Sequence, residues 1–223
     1  MKISFSISGL IASMFFFGAA QAQVAASGDI GTTGLGLHAS LPLQANLNAR
    51  IGVNYLNHSY STSTNSVNYD FKLKLRTLDA LLDWFPMGGA FRVSGGIVYD
   101  GNKIDAVGKS NNNGTYTVNG NTYTAANAGT INGRIDFRKA APYLGIGWGN
   151  ALAHDKGWGF SSDIGVLFQG APTTSLANSG CTLPSSQCAQ LKTDVAAENA
   201  RLNDKVNSFK AYPVLRAGVS YKF

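Results

Sequence analysis

Apolar and polar residues alternate along much of this sequence with a period of two. In residues 47–55 every second side chain is apolar or aromatic, and the positions between them are polar or glycine. Because successive side chains of a strand point to opposite faces, this spacing predicts a β-strand with one apolar and one polar face. Similar patterns predict further strands at residues 32–40, 67–84, 91–99, 142–148, 158–168 and 213–223.

The predicted strand at residues 67–84 changes parity near its middle. In its first half the even positions are polar or charged, whereas from Leu78 onward they are apolar. An extra residue near Arg76 and Thr77, as in a β-bulge, would shift the alternation in this way. We therefore expect a bulge there, with the charged even positions of the first half on the same inward face as Arg50.

Composition distinguishes a soluble β-sandwich from a membrane barrel. Only 13% of the residues are charged, against about a quarter in soluble domains, so a sandwich would lack charge on its outer face. Aromatic residues lie towards the ends of predicted strands, as in the interfacial girdles of membrane barrels. The net charge of +6 includes no dense basic run, which argues against nucleic-acid binding. We predict an all-β fold, an antiparallel up-and-down transmembrane β-barrel.

Residues 1–22 have the three parts of a secretory signal peptide. Lys2 provides a positive charge, residues 11–17 are apolar, and Ala20 and Ala22 form a small-residue cleavage motif. A spanning helix needs about 20 apolar residues, so a membrane anchor is the weaker alternative. We expect cleavage before Gln23, which leaves residues 23–223 as the barrel domain.

The alternation locates seven strands, whereas bacterial single-chain barrels have an even number. We expect eight, and three segments could provide the eighth: residues 23–29, one half of a split 67–85 segment, or part of 131–139. The short connections are 41–46, 86–90 and 150–157, and the long ones are 58–66, 101–135 and 170–210. Membrane barrels have short periplasmic turns and long extracellular loops, so we expect the long connections outside the cell.

The last strand ends with two aromatic residues, Tyr221 and Phe223. Together with residues 83–86, 91–96 and 141–149, it resembles the small Gram-negative outer-membrane barrels of the OmpA-type and OmpW-type group. The terminal aromatic pair resembles the signal that the barrel-assembly machinery reads. The resemblance implies a cell outer-membrane location, contact with outer-membrane lipid and lipopolysaccharide, and assembly by that machinery; we expect a monomer.

The polar faces of the predicted strands carry charged residues and glycines. Side chains just fill the interior of an eight-stranded barrel, so glycine provides room for long neighbours. The charges would by default pair into a plug of salt bridges, and a narrow conduit is the alternative. The candidate lumen-facing residues are Arg50, Asp70, Lys72, Lys74, Arg76, Asp79, Arg92, Asp163 and Arg216.

Two of the long connections contain patterns of their own. Residues 115–124 alternate around Asn119 and Gly120, a dipeptide typical of the type I′ turn of a hairpin. Residues 187–209 have apolar side chains at helical spacing. We therefore predict one extra helix before the last strand, which either plugs the barrel or caps its mouth.

The chain has two cysteines, Cys181 and Cys188. In an exported protein a close pair of this kind predicts a local disulfide. A metal site would need more ligands than two sulfurs, and no histidine lies near them in the sequence.

Little in the sequence points to catalysis. It contains no phosphate-binding loop, zinc-ligand spacing or nucleotide fingerprint, so we expect no cofactor, no metal site and no enzymatic activity. Three hypotheses remain. The first is a structural barrel or a narrow conduit for small solutes, and the second is a surface adhesin or recognition barrel acting through residues 101–135 and 170–210. The third, with least support, is an outer-membrane hydrolase that uses His58 oriented by Asp70.

Overall fold

The computed structural model describes residues 23–63, 67–110, 114–153 and 156–223. The expected signal peptide lies outside the described residues. The described strands and helices are β1 (Ala25–Gly31), β2 (Gly34–Gln44), β3 (Leu47–Ser63), β4 (Val67–Trp84), β5 (Phe91–Asp100), β6 (Lys103–Ser110), β7 (Thr115–Val118), β8 (Asn121–Thr124), α1 (Ala125–Ala128), β9 (Thr130–Asp136), β10 (Ala140–Trp148), β11 (Gly157–Leu167), β12 (Thr173–Ser179), α2 (Ser185–Val206) and β13 (Tyr212–Lys222).

Eight of these strands form a closed antiparallel barrel, in the order β1, β2, β3, β4, β5, β10, β11, β13. The ring closes because β13 pairs with β1 and β5 pairs with both β4 and β10. The predicted fold class and strand number are confirmed. The strand that the alternation did not assign is β1, in the first of the three candidate segments. The predicted strand at 32–40 begins later, at Gly34, because residues 32 and 33 form the turn after β1.

The predicted β-bulge in β4 is wrong. β4 is one continuous strand of 18 residues that pairs with β3 in constant register, from Leu47 opposite Trp84 to Ser63 opposite Asn68. Its side chains therefore keep one parity, with odd positions towards the barrel interior and even positions outside. The polarity of the outer face changes because β4 continues past the rim of the barrel.

Beyond that rim, β3 and β4 continue into a second stretch of sheet. Residues 67–74 of β4 pair with β6, β6 pairs with β9, and β9 pairs with β12. We call this stretch, with residues 56–63 of β3, the raised wall. It occupies much of the three predicted long connections, so the expectation of a loop from residue 58 onward is wrong up to residue 63. The reason is tertiary: these polar strands are held by pairing with their neighbours.

A small apolar cluster joins the hairpin β7–β8 to α2. Its buried members are Val118, Tyr123, Ala128, Leu191 and Val195. The type I′ turn is confirmed, since Asn119 and Gly120 have φ angles of 51° and 84°. Ile131 and Leu176 of the raised wall also pack against this cluster. Both lie on the face of the wall that continues the barrel interior. α2 therefore packs against the raised wall, above the mouth of the barrel and on its lumen side, and this position favours a cap over a plug.

The outer surface of the barrel is apolar. Among the described residues, no helix is long and apolar enough to cross a membrane. Exposed aromatic residues form one row near the raised wall (Tyr55, Tyr99, Phe168) and another near the short turns (Trp84, Trp148, Trp158). Exposed aliphatic residues between the rows include Leu37, Ile51, Val53, Leu78, Leu82, Ile97, Leu144, Ile146, Ile164, Leu215 and Val219.

Candidate functional site: the barrel interior and the raised wall

Arg50 lies at the centre of a buried ion cluster in the half of the barrel nearer the short turns. Its Nε and Nη1 atoms lie 2.9 Å from Asp83 Oδ2 and 3.0 Å from Asp163 Oδ2. Arg92 Nη2 lies 2.8 Å from Asp163 Oδ1, and the Ser94 hydroxyl donates to Asp83 Oδ1 at 2.5 Å. These five residues, here called the lower cluster, are each at most 6% exposed.

A second ion cluster lies nearer the raised wall. Arg216 Nη2 is 2.7 Å from Asp79 Oδ2, and Asn54 donates to the same oxygen at 3.0 Å. His38 lies between two carboxylates, with Nδ1 2.8 Å from Asp29 Oδ2 and Nε2 3.3 Å from Asp79 Oδ2. We call these five residues the upper cluster. Each carboxylate in it faces at least one cationic or imidazole partner.

Both clusters join opposite walls of the barrel. β3 and β11 are four places apart in the ring of eight, as are β4 and β13. The Arg50–Asp163 and Asp79–Arg216 pairs therefore cross the lumen. A cavity beside Arg50, lined also by Phe85 and Ser220, has a volume of about 20 Å³, room for about one water molecule. The interior around the lower cluster is filled by side chains.

Glycines make room for the clusters. A Cβ atom on Gly52 would overlap the His38 ring, and one on Gly147 would lie 2.6 Å from Asp163 Oδ1. Gly145 faces the Tyr143 ring in the same way. This agrees with the sequence argument that glycine accompanies long side chains in a tight lumen.

The structure separates the candidate lumen residues into two sets. Those in the two clusters are Arg50, Asp79, Arg92, Asp163 and Arg216. The other four lie at even positions of β4, on its outer side: Asp70, Lys72, Lys74 and Arg76. The missing bulge explains this division, because the outward parity is the same along the whole strand.

Sequence reasoning missed three ionisable cluster members, Asp29, His38 and Asp83, and the candidate residues also did not include the neutral members Asn54 and Ser94. A signal existed for two of them: His38 alternates with the outward Leu37, and Asp83 has the same parity as Asp79. Asp29 lies in the strand that the alternation did not assign, so no comparable signal was available.

The outer face of the raised wall carries an ion group of its own. Asp105 accepts hydrogen bonds from Lys74 Nζ and Arg134 Nε, both at 2.8 Å. These two bonds lower the pKa of Asp105. A groove of about 380 Å³ lies over this group, and Lys72 and Asn132 also line it. The Arg76 guanidinium lies nearer the barrel, 5.4 Å from the centre of the Tyr55 ring.

Asp194 connects α2 to the hairpin. It accepts hydrogen bonds from Asn119 at 3.0 Å, from Asn121 at 2.8 Å and from the Tyr123 hydroxyl. The bond from Tyr123, followed by those from the asparagines, lowers the pKa of Asp194 to about 2. Burial, and then the bond to Asp194, raises the pKa of Tyr123 to about 12.

The candidate hydrolase pair does not assemble. His58 lies opposite Leu73, whereas Asp70 lies opposite Ser61, whose hydroxyl donates to it at 2.8 Å. The even positions of β3 continue its inner face, and those of β4 continue its outer face. His58 and Asp70 therefore lie on opposite faces of the sheet.

The predicted disulfide between Cys181 and Cys188 is confirmed and lies just before and within the first turn of α2. At the other end of the molecule, Tyr221 packs edge-on against Trp158 and Phe223, with ring centres 5.1 and 5.2 Å apart. The proposed assembly signal is thus part of the aromatic row near the short turns.

Comparisons with known proteins support the fold. No protein-family model matches the sequence, and no curated protein is a significant match. The crystal structure of CarO from Acinetobacter baumannii is similar, with a TM-score of 0.59 and 24% identity over 92% of this chain and 100% of that one. CarO2 from the same organism gives a TM-score of 0.58 and 22% identity over 91% and 99%. At this identity the likeness establishes a shared architecture.

Proposed function

We propose that this protein is an integral, non-enzymatic outer-membrane barrel with a structural role in the envelope. The observation that carries the proposal is an apolar outer band around a closed ring with a paired polar interior. Soluble monomers rarely expose contiguous apolar patches above a few hundred Å². In a bilayer such a band is favourable, and a closed barrel leaves no backbone group unpaired at a sheet edge.

The proposed orientation follows from the unequal ends of the barrel. The short turns and the aromatic row with Tyr221 and Phe223 would face the periplasm, where the barrel-assembly machinery would read that terminus. The raised wall, the hairpin and α2 would face the exterior. Export through a cleaved signal peptide and a monomeric state complete the proposal.

The filled lumen favours a structural role over a conduit. Passage of a solute would require the cross-lumen pairs Arg50–Asp163 and Asp79–Arg216 to separate. The test is to refold residues 23–223 into liposomes, confirm folding by heat-modifiable gel mobility, and record planar-bilayer conductance. We expect folded barrels without steady conductance. Steady channels from folded wild-type protein would overturn the closed-lumen proposal and favour the conduit.

A surface-recognition role is a second candidate. The observation in its favour is that the hairpin and α2 share their own buried cluster and include a disulfide, so they present a defined surface. Replacement of residues 115–124 by a short linker should then reduce attachment to cells or phage without affecting insertion. Unchanged attachment, with the barrel folded, would count against this role.

A further inference from the structure

The outer face of the raised wall stands directly above the apolar band on the same strands. Along β4, the outward residues Leu82 and Leu78 are followed by Arg76, Lys74 and Lys72. At about 3.4 Å per residue, Lys74 lies roughly 14 Å along the strand from Leu78. If the barrel spans the outer membrane as proposed above, on which this inference rests, these cations lie at the level of the lipid headgroups.

Positive charge is concentrated on this face. The strand registers place five cations and three carboxylates there, and Arg76 lies next to them on the same side of β4. The face together with Arg76 therefore carries an excess of three positive charges, half of the net charge of +6 of the whole chain. The cations of the face are Lys72, Lys74, Lys103, Lys109 and Arg134, and the carboxylates are Asp70, Asp105 and Asp136.

Asp105 holds two cations of the groove in place and leaves some of their hydrogen-bond donors free. Asp105 bonds one hydrogen of Lys74 and the Nε hydrogen of Arg134, which leaves the guanidinium Nη groups for another acceptor. Lys72 has no ion-pair partner within the described part of the chain and lines the same groove. An ammonium and a guanidinium fork on one wall are the donors that bind phosphate well.

We infer that this groove binds a phosphate group on the headgroup of an outer-leaflet glycolipid. Lys72 and Arg134 are the direct ligands, and Asp105 positions Arg134 and Lys74. The polar side chains of Asn132 and Ser175, which also line the groove, suit the hydroxyl groups of a sugar. Attraction of juxtamembrane cations to anionic lipid supplies part of the affinity.

The test uses full-length mature protein, folded in detergent and titrated with lipid A. Bound lipid is counted by native mass spectrometry, and lipid A without its phosphates is the reference ligand. We expect the phosphorylated lipid to bind more tightly. The variant K72Q/R134Q should lose about fivefold in affinity per cation removed, while Asp105 keeps its bond to Lys74.

The matched control is K192Q/R201Q, which removes the same two residue types from exposed positions of α2. It should bind lipid A like the wild type. Equal losses in both variants, or equal binding of the two lipids by the wild type, would overturn the inference. The comparison of lipids on the wild type needs no variant, so it stays decisive if K72Q/R134Q fails to fold. Failure of the wild type to fold as a heat-modifiable barrel would instead contradict the proposed function.

Discussion

At the scale of single residues, Arg50 and Arg76 show how position decides what a cation does. Arg50 is buried against Asp83 and Asp163, whereas Arg76 is exposed beside the Tyr55 ring. R50M leaves two buried carboxylates with less compensation, so we expect the free energy of unfolding to fall by about 3–5 kcal/mol. R76M should cost about 1 kcal/mol or less.

Urea titration of both variants, folded in the same detergent, measures this difference. Both variants replace an arginine by a methionine, so R76M is the control for the substitution itself. Similar losses for the two would contradict the view that the lower cluster stabilises the barrel. Adding D83N to R50M should recover part of the loss, because Asp83 is the carboxylate that R50M leaves without a close cation, whereas Asp163 keeps Arg92.

Tyr123 and Asp194 make the hairpin sensitive to extreme pH. The pKa of Tyr123 is raised to about 12, above its ordinary value near 10, so its contribution is complete below pH 10 and is lost as the pH rises through 12. The pKa of Asp194 is lowered to about 2, so its contribution is complete above about pH 4 and is lost as the pH falls through 2. An absorbance titration of wild type minus Y123F should show one phenol ionising near 12, and a midpoint near 10 would refute the buried bond.

At the scale of elements, the hairpin depends on α2 through one carboxylate. D194N replaces the charged acceptor of the Asn119, Asn121 and Tyr123 donors by an amide, so the hairpin should open more often. We expect faster proteolysis within residues 115–124, with barrel mobility on gels unchanged. D204N, at an exposed position of the same helix, is the control and should leave the cleavage rate as it is. Equal rates in D194N and wild type would contradict the anchoring role.

The same elements show what alternation can and cannot predict. Alternation finds a strand where one face meets an apolar environment, as in residues 47–55. It misses β6, whose two faces are both largely polar or small, and it gives β9 only as the candidate segment at residues 131–139. These strands exist because β4 offers an edge to β6 and β6 in turn offers one to β9. In β4 the outer face passes from the apolar band to the polar raised wall. Alternation alone interprets this change of polarity as a shift in register.

The candidate site follows the same division. Inward charges such as Arg50 and Asp163 can be predicted from parity alone. Their pairing across the lumen cannot, because it depends on the closure and stagger of the ring. The inward position of Asp29 can be predicted only once β1 is recognised as a strand. β1 is hard to recognise because it has alternating small residues instead of a strong apolar face.

At the scale of the whole molecule, the barrel and its cap should differ in stability. Every barrel strand is paired on both sides in a closed ring, whereas α2 is attached through β12, the edge of the raised wall, and through the hairpin. Local opening follows such differences in contact density. Reduction of Cys181–Cys188 should therefore lower the local stability of α2 alone. The expected loss is up to about 2.5 kcal/mol for a loop of this size in the chain-entropy model.

Hydrogen exchange before and after reduction measures the local stability of α2 and of the barrel strands in one experiment. Amides in residues 185–206 should exchange faster in reduced protein, while those of β2, β3 and β13 keep their rates. The exchange rates of C181S/C188S should match those of the reduced protein and should not change when reductant is added. This separates the loss of the disulfide from other effects of the reagent. If the barrel strands accelerate together with α2, the molecule opens as one cooperative unit. A cap that could open over an intact barrel would then be excluded.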